Sequence, residues 1–265
     1  MTKKWFSYVF CTLILSFTAP VSFGQGTIEG HVKLTGPAPR NPAIPMGADP
    51  NCLTINAGKR VLMNQVIRAE DGGLANAFVR LNGSFPASAV PATPVTIDQR
   101  ACVYNPHVQG ARVGQQLMVK NDDSTLHNIH SLTKTNNAFN TAQPQAGMVY
   151  KYQLKSEEVM LHVKCDVHPW MSGYIGVSNH PYYAVSDGTG RFQIAGVPAG
   201  KYTIQVWHEV YGPLTQTVEV KPGATSTVDF AYTGNEKAVA SATLSIEEIT
   251  VTERTSIELV APSSR

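Results

Sequence analysis

Apolar and polar positions alternate in short runs along most of this chain, and Gly or Pro punctuates the gaps between them. The clearest runs lie late in the sequence. Tyr202, Ile204 and Val206 fall on one face, as do Val218 with Val220, and Val228 with Phe230 and Tyr232. A period of two belongs to strands, whose successive side chains point to opposite faces of a sheet. Turn signals bound these runs at Asp187-Gly188, Pro198-Ala199-Gly200 and Pro222-Gly223. No long stretch carries apolar residues at helical spacing, so the pattern predicts an all-β protein. Two segments stand outside the alternation. Residues 41–60 are Pro-rich and irregular, and the tail 234–265 is polar and rich in Ser and Thr. That tail has room for one strand near residues 244–251, or for disorder.

The start of the chain follows a different rule. Lys3 and Lys4 precede an apolar run from Trp5 to Ala19, and the small residues Ser22 and Gly24 follow it, the layout of a secretory signal peptide over residues 1–24. The run is shorter than the ~20 apolar residues of a spanning helix. No later stretch approaches that length, so no membrane span is expected and the mature chain is expected in the periplasm or outside the cell. Cys11 lies inside the run without the small-residue context of a lipoprotein site, and is expected to leave with the leader. About 240 residues remain, enough for one large domain or two small ones. Lys and Arg number 21 against 19 Asp and Glu and are scattered, which removes nucleic acid from the expected partners.

GTIEGHVKLTG (26–36) and GGLANAFVRLNG (72–83) resemble the opening strands of the carboxypeptidase regulatory-like family, a small transthyretin-like β-sandwich. DGTGRFQIAGVPAGKYTIQVWHE (187–209), followed by TQTVEVKPG, resembles the closing strands of the same family. The two halves are separated by roughly a hundred residues, the length of a whole domain. The resemblance therefore implies nesting: residues 25–93 and 179–233 form one sandwich, and residues 94–178 form a second, inserted into it.

Two phrases inside the insert carry chemistry, LHNIH (126–130) and CDVHPWM (165–171). A type 1 copper centre needs two imidazoles and a thiolate in a plane, with a weak, long thioether contact along the axis. The Cys-x-x-His-x-x-Met phrase offers three such ligands from one loop, stiffened by Pro169. YNPHVQGARVGQQLMVKNDDSTLHNIH (104–130) resembles the early strands of the cupredoxins, the plastocyanin-like blue-copper family, and CDVHPWM matches that family's short ligand loop. The resemblance implies a Greek-key β-sandwich holding one copper ion, cycling between Cu(I) and Cu(II), on His127, Cys165, His168 and Met171. It also implies that the Asn128 side chain ties the His loop to the Cys loop. With Cys165 on copper, Cys52 and Cys102 are left to pair in an oxidising compartment. Plainer readings exist for each residue. His130 competes with His127 as a ligand, Met171 can be simple core filling, and His31, His107, His162, His180 and His208 read as packed or surface residues. His107, His180 and His208 are the candidates for any second metal site.

Three functions follow from these residues. The first is electron transfer, the second is copper handling or storage without a redox partner, and the third is a cell-envelope carbohydrate-binding or structural role for the outer sandwich with copper ancillary. An enzyme is not expected, because the four protein ligands leave no open position on the metal. Serine-nucleophile, His-Glu-x-x-His, phosphate-loop and dinucleotide motifs are all missing from the sequence. A redox partner is expected to dock near His168, Pro169 and Trp170, where the loop tip brings the imidazole to the surface, unless Trp170 is instead buried between the sandwiches.

Overall fold

The structure, a computed structural model, describes residues 24–236. The expected leader with Cys11 and the expected tail strand lie outside the described residues. Strands dominate, and the all-β expectation holds. From the N-terminal side come β1 (Gln25–Leu34), the short helix α1 (Pro50–Ile55) and β2 (Phe78–Asn82). Then follow β3 (Val95–Arg100), β4 (Val103–Asn105), β5 (Val108–Arg112), β6 (Gln116–Asn121), β7 (His127–Leu132), β8 (Asn140–Gln143), β9 (Val149–Gln153), β10 (Glu158–Lys164) and β11 (Ser172–Ser178). The last set is β12 (Tyr183–Val185), β13 (Arg191–Pro198), β14 (Gly200–His208), β15 (Gly212–Val220), β16 (Thr225–Thr227) and β17 (Phe230–Tyr232).

The first and last sets share two sheets. One has β1 antiparallel to β13 and parallel to β16 and β17; the other runs β12-β2-β14-β15. Between them lies one apolar core built by the alternating positions, including Ile28, Val32, Val79, Leu81, Ile204, Val206 and Phe230. The middle set makes its own two sheets, β5-β11-β10-β7-β8 and β4-β3-β6-β9. A separate core fills them, with Ile97, Leu117, Val119, Ile129, Leu161, Val163 and Ile175 beside Cys165 and Met171.

Aromatic rings close the space between the two pairs of sheets. A Cβ placed on Gly176 of β11 would lie 2.3 Å from the Phe78 ring, and one on Gly110 of β5 would lie 2.3 Å from the Tyr183 ring. Only glycine admits such close approach. Trp207 lies 5.0 Å from Tyr174 between ring centroids, Arg80 pairs with Glu157 at 3.1 Å, and His107 hydrogen-bonds Glu209.

Residues 41–63 form a third, small element of structure. Sequence reading makes the Pro-rich stretch irregular; the structure places α1 in it. Asp49 is the N-cap, its side chain accepting from the backbone N–H groups of Asn51 (2.7 Å) and Cys52 (3.2 Å), and Pro50 occupies the first turn. An acidic cap followed by Pro is a helix-start signal, so this helix was open to a local reading that the Pro content obscured. Ile44, Met46 and Cys52 pack with Cys102 in a satellite cluster that partly buries Trp170. The Cys52–Cys102 disulfide fastens this cluster, with the two Cα atoms 5.8 Å apart.

Candidate metal centre

The loop Cys165–Met171 is the whole connection between β10 and β11, whose last pair in register is Lys164 with Ser172. It is closed by the Cys165 N–H donating to the Met171 carbonyl (3.0 Å) and by the Met171 N–H donating to the His168 carbonyl (2.8 Å). His127 opens β7 on the neighbouring strand, so the hydrogen-bonded ladder itself brings the two phrases together. One donor atom from each of His127, Cys165 and His168 lies within 4.8 Å of the others. All three residues are buried, and Met171 is buried in the same apolar core as Cys165.

The orientation of the imidazoles decides what this cluster can do. His127 Nε2 lies 2.9 Å from Asp123 Oδ2, and His168 Nε2 lies 2.9 Å from Asp49 Oδ2. The His168 bond holds the Asp49 carboxyl below its ordinary range; at Asp123, burial pushes the other way and is outweighed by bonds from His127 and from the Cys102 and Ala101 N–H groups. Ionised carboxylates only accept, so each ring presents its N–H at Nε2 and a lone pair at Nδ1. The two Nδ1 atoms then face each other 3.0 Å apart, and Cys165 Sγ is 3.8 Å from Nδ1 of His168. In the neutral rings these two lone pairs would repel in a dry interior; a cation or a proton between them removes the repulsion, and the raised pKa of His127 favours the proton.

Cys165 is prepared for the same role. Burial pushes its thiol up, but the neighbouring His127 ring and hydrogen bonds from the N–H groups of Asn128, His168 and Val167 outweigh it and favour the thiolate. Burial likewise opposes charge on His127, and the bonds to Asp123 and Cys165 overcome it, raising its pKa. Two imidazole nitrogens, a thiolate and a nearby thioether are soft and borderline donors, a set that fits copper.

Asn128 bridges the two phrases: its Oδ1 accepts from the Asp166 N–H at 2.6 Å, and its Nδ2 donates to Asp166 Oδ2 (3.2 Å) and Asn140 Oδ1 (2.7 Å). His130 lies an odd number of residues from His127, hence on the opposite face of β7, where its Nδ1 meets Asp166 at 3.0 Å. It does not join the donor cluster. His107 is held by Glu209 and the Ser172 carbonyl, His162 by Ser172 Oγ and His180 by the Leu81 carbonyl, and none of them lies in a metal-binding group among the described residues.

One feature departs from sequence reading, and a second falls nearer the packed alternative left open for Trp170 than the docking one. His168 is not at the surface: it is 1% exposed, covered by Asp49 and α1. Trp170 is half-buried over the same satellite cluster, its Nε1–H donating to the Cys102 carbonyl at 2.9 Å and its ring 5.0 Å from that of His168. Asp49 and Asp123 were not singled out from sequence. Asp123 stands four residues before His127, a weak local signal, whereas Asp49 is 119 residues from His168 and gave none.

Comparison with known proteins gives matches of two kinds. The model of the carboxypeptidase regulatory-like domain matches residues 175–233. Part of the chain is similar to solved copper proteins. A purple cupredoxin from Nitrosopumilus maritimus is 26% identical, over 32% of this chain and 99% of its own, at a TM-score of 0.28. A mutant of amicyanin in the Cu(I) state is 17% identical, over 37% of this chain and 97% of its own, at 0.29. A copper-containing nitrite reductase from Thermus scotoductus SA-01 is 22% identical over 36% of this chain at 0.31, and the chain covers 24% of that enzyme's length. No curated protein matches the sequence.

Proposed function

We propose that this protein binds one copper ion through His127, Cys165, His168 and Met171 and serves as an electron carrier of the periplasm or the cell exterior. The observation that carries the reading is the convergence of two inward-facing Nδ1 atoms and a thiolate-favouring Cys165 in a buried cluster. When bound, copper supplies a one-electron couple between Cu(I) and Cu(II). The protein's part is to hold the donors in one arrangement for both oxidation states, which the carboxylates on both rings and the Asn128 bridge do. With four protein donors no coordination position is left for a substrate, so the reading does not include catalysis.

The Cys52–Cys102 disulfide supports that compartment, because it suits an oxidising environment. Among the described residues no helix is long and apolar enough to cross a membrane. A redox partner would approach the Cys165–Met171 loop at Val167 and Pro169, which are exposed, with His168 just beneath and Trp170 turned inward. The test is addition of Cu(II) to the purified metal-free protein. An intense thiolate-to-copper absorption band with narrow copper hyperfine splitting is expected; an ordinary pale cupric signal would favour copper handling instead.

A further inference from the structure

We infer that Asp49, supplied by the segment between β1 and β2, is a positioning residue for His168, and that the disulfide-fastened helix behind it closes the metal centre against exchange. The inference rests on the copper reading above. His168 sits in the short β10–β11 loop, where an imidazole bound at Nδ1 alone is free to rotate outward and release its metal. Here the opposite edge of the ring is held by Asp49 Oδ2 at 2.9 Å. The same carboxylate caps α1, its Oδ1 accepting from the N–H groups of Asn51 and Cys52. The ring therefore swings outward only by giving up its bond to a carboxylate that the helix start holds in place.

The helix is itself anchored at several points. Cys52 is joined to Cys102, and the Cys102 N–H donates at 2.8 Å to Asp123 Oδ2, the oxygen that holds His127. One covalent bridge thus links the two carboxylates that orient the two imidazoles. Asn51 Nδ2 donates to Thr125 Oγ1 (3.2 Å), Asn56 Nδ2 donates to the Ala101 carbonyl (3.2 Å), and Trp170 spans from Cys102 to the His168 ring. Removing copper through this side requires α1 to lift. Orienting carboxylates commonly change metal affinity by about ten- to a hundredfold, and a cap fixed by a disulfide adds a kinetic barrier to that preference.

The test uses the full-length protein loaded with copper and reduced, then mixed with a strong Cu(I) chelator while release is followed by the chelator's colour. Asn replaces Asp as a helix cap at little cost, so Asp49→Asn keeps α1 while removing the charge from His168; Asp49→Glu restores a carboxylate. Release at least tenfold faster from Asp49→Asn, faster still from Cys52→Ser/Cys102→Ser, and partly restored in Asp49→Glu is expected, with a changed Cu(II) hyperfine splitting in the Asn variant. Copper that binds to all these proteins and leaves them at one rate, with unchanged spectra, overturns the role of Asp49 and leaves the copper reading standing. Wild-type protein that takes up no copper overturns both.

Discussion

Among single residues, Cys165 and Met171 are expected to behave differently. Cys165→Ser replaces a soft donor whose thiolate the fold favours with a hard hydroxyl, so loss of the thiolate-to-copper band is expected in absorption spectra. Met171→Leu conserves volume at a fully buried site, should cost less than ~1.5 kcal/mol, and should retain copper at a raised potential by voltammetry. A third residue contributes to the acid response. His208 is buried, and burial, aided by nearby His107, lowers its pKa from 6.5 to about 4. The unfolded chain therefore takes up this proton first: stability is full above about pH 6.5, falls as the pH drops from there to about 4, and the loss from this residue is at most roughly 3 kcal/mol. Urea unfolding of the metal-free protein at pH 7 and pH 4.5 should show that fall, and His208→Gln should reduce it, leaving the part due to His162 and His180, which burial also shifts down. The cluster of His127, Cys165 and His168 could be singled out because CDVHPWM places three chemically distinctive side chains in seven residues. The carboxylates behind them were harder to read: Asp123 left only the weak signal of its place four residues before His127, and Asp49 is defined by a contact across the fold.

The strand alternation was enough to place Ile204 and Val206, Val218 and Val220, and Phe230 and Tyr232 in the core, since a period of two is a local property of the backbone. Strand pairing was not, and neither were the parallel pairs β3 with β6 and β5 with β11. The β3–β4 hairpin shows how an element and the centre share one support. Its two turn residues, Ala101 and Cys102, both have positive φ (56° and 57°), the conformation of a type I′ turn that usually calls for Gly or Asn. Asp123 accepts both of their N–H groups at 2.8 Å, holding the turn and His127 with one carboxylate. Trp170 plays a packing role in its loop, so Trp170→Ala should destabilise by about 3 kcal/mol. Trp170→Phe should lose mainly the hydrogen bond to Cys102, about 1 kcal/mol. Thermal melts of the two variants in the metal-free form check the order.

For the molecule as a whole, the nested reading of residues 94–178 predicts that this fragment folds and binds copper by itself. Its chain termini meet the outer sheets, yet it lacks Asp49 and leaves Cys102 unpaired, so it should release copper faster than the full chain in the same chelator assay. The glycine notches predict how firmly the two pairs of sheets are held. Gly176→Ala would drive a methyl into the Phe78 ring and should cost about 1–3 kcal/mol, read as a lower melting temperature. The described residues form two pairs of sheets with separate cores; the segment that crosses from one to cover the other was hidden in the sequence, since its partners lie far along the chain. Asp49 and His168 consequently tie together two stretches of sequence that would otherwise be free to part in evolution. A lineage that deletes the insert keeps a carboxylate with no ring to hold, and one that moves the insert to a new host leaves the carboxylate behind. On the proposed role of Asp49, the aspartate segment and residues 94–178 would have to be inherited together.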